Sequence, residues 1–183
     1  FLPGLEASRL YRPGEDQVWE PTNNWDVEEL YLSTSSESVN ADIYTRDIID
    51  EAPRIINGFN VYKKFIQFMN EDMVGQGTIK EWKAIPYDWR LDFEKILASG
   101  KKIGETSGKD NLTYLEATTT PYIFQELKRL AENSDTGKVT IITHSNGGLL
   151  VKYLLKQLED TDHPYHNLLA KIDKIIMVAA PQI

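Results

Sequence analysis

The sequence predicts an α/β fold in which a parallel sheet segment is flanked by helices. From residue 58 onward, stretches with apolar residues at helical spacing alternate with short apolar runs that are typical of buried strands. The two clearest runs, KVTIIT at 138–143 and DKIIMVAAP at 173–181, are rich in β-branched residues or lack polar alternation. Alternation of helices and buried strands favours a parallel sheet with right-handed crossovers.

The composition limits the classes of function. A chain of 183 residues with 41% hydrophobic content is long enough for one domain with a core. The net charge of −8 argues against nucleic-acid binding, which relies on clustered Lys and Arg. The chain has no cysteine, which excludes disulfides and thiolate metal sites and leaves the compartment open. We expect neither a metal ion nor a cofactor.

The N-terminal part is predicted to be largely irregular. Phe1 and Leu2 look like the end of a buried strand, and a tight Pro-Gly turn follows them. FLPGLEASRLY lacks the basic and apolar regions of a signal peptide, and no apolar run of the chain reaches the ~18 residues needed to span a bilayer. Residues 12–57 carry scattered prolines, asparagines and aromatic residues without a lasting period. They predict a surface excursion with a few short strands, which is the candidate lid.

The middle of the chain predicts a helix, a strand, a second helix and a loop. Apolar residues recur at helical spacing over 58–70, with Asn57 as a plausible cap. TIKEWKAIPYDWR, at 78–90, alternates apolar and polar residues up to a proline, which is typical of a strand. A short helix is expected around 93–97, and the glycine-rich stretch 99–111 is the most loop-like of the chain.

The last third of the chain predicts two helices and two buried strands. Thr120 and Pro121 favour a helix start, with the proline at the first helical position and the end near Asn133. A buried strand over 139–143 precedes an amphipathic helix over 147–159, and DKIIMVAAP forms the closing strand.

The sequence THSNGG places Ser145 between that buried strand and that helix, where two interpretations compete. In a nucleophile elbow, small residues two positions before and after the serine let strand and helix approach closely. Gly147 occupies the second position, but Thr143 stands where the first glycine of G-x-S-x-G usually lies. Alternatively, Ser145 or Asn146 caps an ordinary helix. Since glycine in a helical turn costs roughly 1 kcal/mol relative to alanine, two glycines there favour either a close backbone approach or a positive φ. His144 is expected to point away into the sheet, as a satisfied histidine and not a catalytic base.

Four segments together resemble a known family. LPGLEASRLY, IPYDWR, HSNGGLLVKYLL and IIMVAAPQ come in the order and spacing of α/β-hydrolases similar to the lecithin:cholesterol acyltransferase-like lipases. The resemblance covers nearly the whole chain. It implies the α/β-hydrolase fold, with Ser145 as nucleophile and the N–H groups of Leu5 and Asn146 as oxyanion donors.

The resemblance also implies a function. It indicates a serine ester hydrolase or acyltransferase that acts on lipid-like esters, with a lipid or other small ester as substrate and with transient contact to a membrane surface. It favours a secreted or cell-envelope location. The residues alone leave a second hypothesis open, which is a non-catalytic module that keeps the hydrolase fold for binding or assembly.

The acid and the base of that fold are expected to follow the serine after later strands. Beyond Ser145 the chain offers only His163 and His166, which precede the closing strand and lie on the wrong side for a base. Asp88 and Arg90 are interpreted as a structural turn. We therefore expect residues 1–183 to form a single partial α/β-hydrolase domain. It would lack its first and last strands, and a longer chain or another chain would supply the rest.

Overall fold

The computed structural model describes residues 1–182 except positions 15, 22, 35–42, 53–58, 104–109 and 114–120. In chain order the strands are β1 (Ser8–Arg12), β2 (Asp16–Trp19), β3 (Tyr44–Ile48), β4 (Glu51–Ala52), β5 (Phe59–Asn60), β6 (Gly100–Ile103), β7 (Asp110–Thr113), β8 (Val139–His144) and β9 (Ile172–Val178). The α-helices are α1 (Asn24–Glu28), α2 (Lys63–Gln67), α3 (Phe93–Ala98), α4 (Tyr122–Asn133) and α5 (Asn146–Glu159). A π-helical segment covers Phe68–Val74, and a 3₁₀ segment covers His166–Lys171.

Strand β8 lies between two parallel neighbours. On one side β9 pairs with it in parallel from Val139 to His144. On the other side Leu2 forms a parallel bridge with Thr143, donating its N–H to Ile142 O at 3.0 Å and accepting from the His144 N–H at 3.1 Å. Leu2 is 3% exposed, which agrees with the expectation that it ends a buried strand.

Helices α4 and α5 cover the parallel strands because each has one apolar face. In α5, Leu150, Val151, Leu154 and Leu158 have at most 1% of their surface exposed. Their spacing places them on one side of the helix, where they join the core that also contains Ile141 of β8. The burial of this face positions the N-terminal end of α5 directly after β8.

A second sheet is antiparallel, with strand order β2-β1-β3-β7-β6. Its strands β1, β2 and β3 come from the N-terminal third of the chain, and Leu10, Val18 and Ile43 form a small core against it. The pair β4 and β5 is also antiparallel. The α/β class is therefore correct, but the predicted parallel sheet is not confirmed, because within the described residues parallel pairing is found at β8, β9 and the bridge at Leu2 and the other strands pair antiparallel.

One prediction for the middle of the chain was wrong in extent. The helix expected over 58–70 begins at Lys63, because the N–H groups of Val61, Tyr62 and Lys63 all donate to Asp50 O and hold the preceding residues outside the helix. It continues as the π-helical segment to Val74. The proposed cap Asn57 lies outside the described residues.

Two further predictions were wrong in type: the strand over 78–90, and the loop over 99–111 at the residues that the structure describes, which leave out 104–109. Residues 78–90 form no strand. Their backbone exchanges two hydrogen bonds with Phe1, whose amino group donates to Lys83 O and whose carbonyl accepts from the Ile85 N–H, and the pairing does not extend further. Residues 99–111 were expected to be a loop, but β6 and β7 pair there as antiparallel strands. β6 lies at the sheet edge, where lysines are favoured. Because its sequence is polar, no apolar pattern predicted a strand there.

The remaining elements agree with the sequence. Helix α3 covers the predicted 93–97, and α4 ends at Asn133 as expected, although it starts one residue after Pro121. β8, α5 and β9 match their predicted positions within about three residues.

Candidate functional site

Ser145 lies in strained backbone at the turn between β8 and α5. Its φ of 50° and ψ of −120° place a non-glycine residue in a region that side chains rarely adopt. Its N–H donates to Val178 O at 2.9 Å, and its carbonyl accepts from the Gly148 N–H at 2.9 Å. The prediction of a strained strand-to-helix turn is confirmed. The capping interpretation is wrong for Ser145, since its side chain makes no capping hydrogen bond.

The two glycines after the serine are needed for close packing. A Cβ on Gly147 would lie 2.5 Å from Leu2 O and 2.6 Å from Pro3 O. A Cβ on Gly148 would overlap the Cβ of Ala180, which follows β9. Glycine at these positions therefore lets α5 start against the N-terminal loop and the end of β9, as the sequence predicted.

The loop proposed to hold an oxyanion donor lies beside the elbow. A Cβ on Gly4 would lie 3.3 Å from Ser145 Cβ, so this backbone packs directly against the serine. The turn is centred two residues later than the expected Pro3-Gly4 turn, on Leu5 and Glu6, and closes through a hydrogen bond from the Ala7 N–H to Gly4 O at 3.3 Å. Glu6 has a φ of 58°, as the third residue of a type II turn requires.

Two backbone N–H groups next to the elbow are available as hydrogen-bond donors. Among the described residues, the Leu5 N–H makes no hydrogen bond. The Asn146 N–H is the first of α5 and, in the described part of the chain, also makes no backbone hydrogen bond. Convergence of these two donors on one point near Ser145 Oγ stays a prediction.

Backbone strain is concentrated around this site. The non-glycine residues with positive φ in the described ranges are Glu6, Ser145 and Ala179. Glu6 directly follows Leu5, and Ala179 directly follows β9. Such conformations persist where the surrounding structure imposes them, and they cluster at functional sites.

His144 is held by a tyrosine that sequence reasoning did not identify. Its Nδ1 lies 2.8 Å from Tyr62 Oη, and the two rings meet edge to face at 5.7 Å. This agrees with the expectation of a satisfied, half-buried histidine. Tyr62 Oη also accepts from the Gly4 N–H at 2.9 Å. Tyr62 was missed because a lone tyrosine near a helix start carries no sequence signal.

Tyr87, from the PYDWR segment, makes the corresponding contacts on the other side. Its Oη donates to Pro3 O at 2.9 Å and accepts from Asn146 Nδ2 at 3.4 Å. Burial raises the pKa of both tyrosine hydroxyls above the ordinary value. Both therefore stay protonated near neutral pH.

The other two histidines are engaged elsewhere. His166 Nδ1 bonds Leu158 O at 2.7 Å near the far end of α5, about 20 Å along the helix from Ser145 at ~1.5 Å per residue. His163 stacks on Phe124 with ring centroids 5.1 Å apart, and its Nδ1 accepts from the Tyr165 N–H. No histidine hydrogen-bonds Ser145 in the described part of the chain, which agrees with the prediction that neither later histidine serves as its base.

Asp88 and Arg90 form a buried structural pair. Arg90 donates to both carboxylate oxygens of Asp88, at 2.6 and 2.9 Å, and a further N–H of its guanidinium bonds Leu30 O. The two side chains are 7% and 3% exposed. Every charge is matched at short range, so the interpretation as a structural turn is supported.

A cavity of about 650 Å³ lies away from the elbow. Its walls include Arg9, Asp47, Asp50, Trp82 and Tyr122, and none of residues 2–5 or 143–148 lines it. Within the described ranges, no cluster of three or more His, Cys, Asp or Glu side chains is placed to hold a metal ion. No helix in the same ranges has both the length and the apolar character needed to cross a bilayer.

Comparison with known proteins gives one match. The sequence model of the family described as lecithin:cholesterol acyltransferase matches residues 44–183. This range contains β8, the elbow, α5 and β9. No curated protein and no solved structure matches the chain.

Proposed function

The chain belongs to the lecithin:cholesterol acyltransferase family, and from this premise we propose that it is a serine esterase or acyltransferase acting on lipid-like esters, with Ser145 as nucleophile. The family is enzymatic and acts on lipids. The assignment of the reaction to this serine, and to backbone oxyanion donors, is our proposal.

The observation that carries the proposal is the backbone of Ser145. A serine at φ 50° between a buried parallel strand and an amphipathic helix is held in the geometry of a nucleophile elbow. The close contacts of Gly147 with the carbonyls of Leu2 and Pro3 hold the N-terminal loop against the same turn. A serine that only capped the helix would need neither the strain nor the contact.

The proposed reaction has two steps. Ser145 Oγ attacks the ester carbonyl carbon while its proton passes to a base, and the carbonyl oxygen becomes an oxyanion bound by the N–H groups of Leu5 and Asn146. The C–O bond to the alcohol then breaks, the alcohol leaves with a proton, and an acyl-serine remains. Water or a second alcohol then attacks the acyl carbon and gives up its proton to the base, the bond from this carbon to Ser145 Oγ breaks, and the acid or new ester leaves while Ser145 Oγ takes the proton back.

The base is assigned to residues outside 1–183, since none of the three histidines of the chain is placed to take the proton of Ser145. The proposal therefore treats residues 1–183 as one partial hydrolase domain, whose remaining strands come from a longer chain or another chain. Residues 12–57 stay a proposed lid-like or surface excursion, within which β2 and β3 belong to the five-stranded sheet.

The proposed substrate requires apolar surface near the site and on the lid. The Leu5 side chain is 55% exposed although its backbone lies next to the elbow, so it can contact an acyl chain. On and after α1, Trp25, Val27 and Tyr31 are 75%, 44% and 61% exposed. Exposed tryptophan and tyrosine suit the boundary between water and lipid. We assign this surface to transient membrane contact.

Vesicle sedimentation tests the membrane assignment. The protein should bind zwitterionic phospholipid vesicles more strongly than anionic ones, because its net charge is −8. Trp25→Ala should weaken this binding about tenfold, since a buried aromatic side chain contributes roughly 1.5–3 kcal/mol. Equal binding of the wild type and Trp25→Ala would show that this surface does not contact the membrane.

A fluorophosphonate probe tests the central proposal. In the folded full-length protein it should label Ser145, and the label should be absent from Ser145→Ala. Mass spectrometry of the labelled peptide identifies the residue. Absence of labelling in a folded protein would overturn the proposed chemistry and favour the non-catalytic binding or assembly module.

A further inference from the structure

The N-terminal loop and the elbow are connected by two tyrosine hydroxyls. Tyr62 Oη contacts Gly4 N–H on the loop and His144 Nδ1 on the residue before the serine. Tyr87 Oη contacts Pro3 O on the loop and Asn146 Nδ2 on the residue after the serine. Each hydroxyl therefore bridges the loop to one side of Ser145.

One hydrogen-bond direction of the first bridge follows from its donor. The Gly4 N–H can only donate, so Tyr62 Oη accepts from it. The direction of the bond between Tyr62 Oη and His144 Nδ1 depends on which imidazole nitrogen carries the proton. In either direction the tyrosine hydroxyl connects Gly4 to His144.

In the second bridge, the tyrosine hydroxyl donates to the loop instead of accepting from it. Pro3 O can only accept, so the Tyr87 hydroxyl donates to it and accepts from the Asn146 amide. Tyr87 and Tyr62 are 3% and 7% exposed, so water does not readily replace these bonds. The loop is thus fixed at two consecutive residues, Pro3 and Gly4, immediately before Leu5.

We propose that Tyr62 and Tyr87 are positioning residues that hold the Leu5 N–H at the distance from the Asn146 N–H needed to bind an oxyanion. This inference rests on the proposed function. Neither hydroxyl touches the substrate. Each acts through the loop and the elbow, because a displacement of the loop moves the Leu5 donor away from the serine. Donors of this kind are effective only when they are held in place before the charge develops.

The test removes each hydroxyl without removing the ring. Tyr62→Phe, Tyr87→Phe and the double variant are compared with the wild-type full-length protein. Tyr11→Phe is the matched control, because the hydroxyl of Tyr11 is also hydrogen-bonded, to Asp47, but lies outside the site. The measurements are kcat and KM on a nitrophenyl ester, the rate of fluorophosphonate labelling, and the thermal midpoint.

Each single variant should lower kcat about tenfold and leave KM within about twofold, because the lost interaction matters mainly in the transition state. The double variant should lose ~10²–10³-fold, the range measured when one oxyanion donor is removed. Labelling rates should fall in parallel, and Tyr11→Phe should match the wild type.

Two results would overturn the inference alone. In the first, the probe labels Ser145 in the wild type, and the labelling rates of Tyr62→Phe and Tyr87→Phe are no lower than the labelling rate of Tyr11→Phe. The other is a loss of activity explained by a smaller folded fraction or by KM alone. If the wild type turns over no faster than Ser145→Ala and takes no label, the proposed function fails and the inference fails with it.

Discussion

The elbow at Ser145 and the turn at Asp88–Arg90 both place reactive side chains after an extended segment, yet they are built in opposite ways. At the turn, the carboxylate and the guanidinium are buried and matched at 2.6 and 2.9 Å. At the elbow, the backbone is strained, and the Ser145 hydroxyl has no hydrogen-bond partner among the described residues.

This difference separates a structural site from a functional one. A buried charge must be paired because desolvation is costly, and a satisfied pair leaves no capacity to bind a substrate. A strained residue with an unengaged hydroxyl is stable only because the surrounding packing holds it. Charge alone would have drawn attention to Asp88 and Arg90, whereas conformation points to Ser145.

The largest expected effect is on activity at the elbow. Ser145→Ala should reduce ester hydrolysis by on the order of 10⁴–10⁶-fold, since removal of a nucleophile leaves only the residual effect of the oxyanion donors. Urea unfolding should show little change in stability, because alanine carries the same backbone strain. Activity of Ser145→Ala near the wild-type level would end the assignment of the nucleophile.

The next effect is on stability at the turn. Arg90→Met leaves Asp88 buried without its partner and should lower the free energy of unfolding by about 3–5 kcal/mol. The kcat of the folded fraction should be unchanged. Urea denaturation and active-site titration measure the two quantities.

The double variant Asp88→Leu with Arg90→Met is the control for this prediction. It should be less destabilised than Arg90→Met, because no unpaired charge remains. A lower kcat in the folded fraction of either variant would instead show that the Asp88–Arg90 turn contributes to the reaction. The contrast between a structural turn and a functional elbow would then be wrong.

A smaller effect is expected from Gly147→Ala. The new Cβ would press on Leu2 O and Pro3 O, which should cost about 1–3 kcal/mol of stability and displace the N-terminal loop. We expect kcat to fall about 100-fold, since small misplacements have effects of this size. Thermal melting and ester turnover measure both.

Gly148→Ala is the matched variant for Gly147→Ala. Its Cβ meets the side chain of Ala180 and not the loop, so it should lower stability with a smaller loss of kcat. An equal loss of kcat in both variants would show that overpacking in general, and not contact with the loop, affects activity.

The smallest effect concerns Thr143, the residue that departs from the usual elbow motif. Its side chain is fully buried, and Oγ1 has no hydrogen-bond partner in the described structure. Thr143→Val should therefore raise the free energy of unfolding by about 1 kcal/mol, because an unpaired hydroxyl becomes a methyl group of similar size.

Thr45→Val is the control for Thr143→Val. Thr45 is equally buried, but its hydroxyl donates to Arg9 O at 2.8 Å, so the same substitution should destabilise by about 1–3 kcal/mol. If Thr143→Val destabilises as much as Thr45→Val, the Thr143 hydroxyl has a hydrogen-bond partner, and this bond helps to hold the backbone of the elbow.

Prediction from sequence succeeded where local pattern and burial agree. β8, α5 and β9 carry continuous apolar runs or a one-sided apolar face, and each was placed within about three residues. It failed for 78–90 and for the described residues of 99–111. The segment before Pro86 alternates like a strand, but its strand-like bonds are two contacts with Phe1, which is distant in sequence. β6 pairs with the nearby β7, but it is polar and lies at a sheet edge, so no apolar pattern marks it.

The sequence by itself determined the elbow, because a strand, a serine, two glycines and an amphipathic helix follow one another within the reach of local interactions. The tertiary structure decided how the elbow is held. Gly4 packs against Ser145. Tyr62 and Tyr87 bridge the loop to the elbow through hydrogen bonds between residues that are 58 to 84 positions apart. No periodicity records such contacts, because a single hydroxyl hydrogen bond depends on where the whole core places two distant segments, and not on the residues beside it.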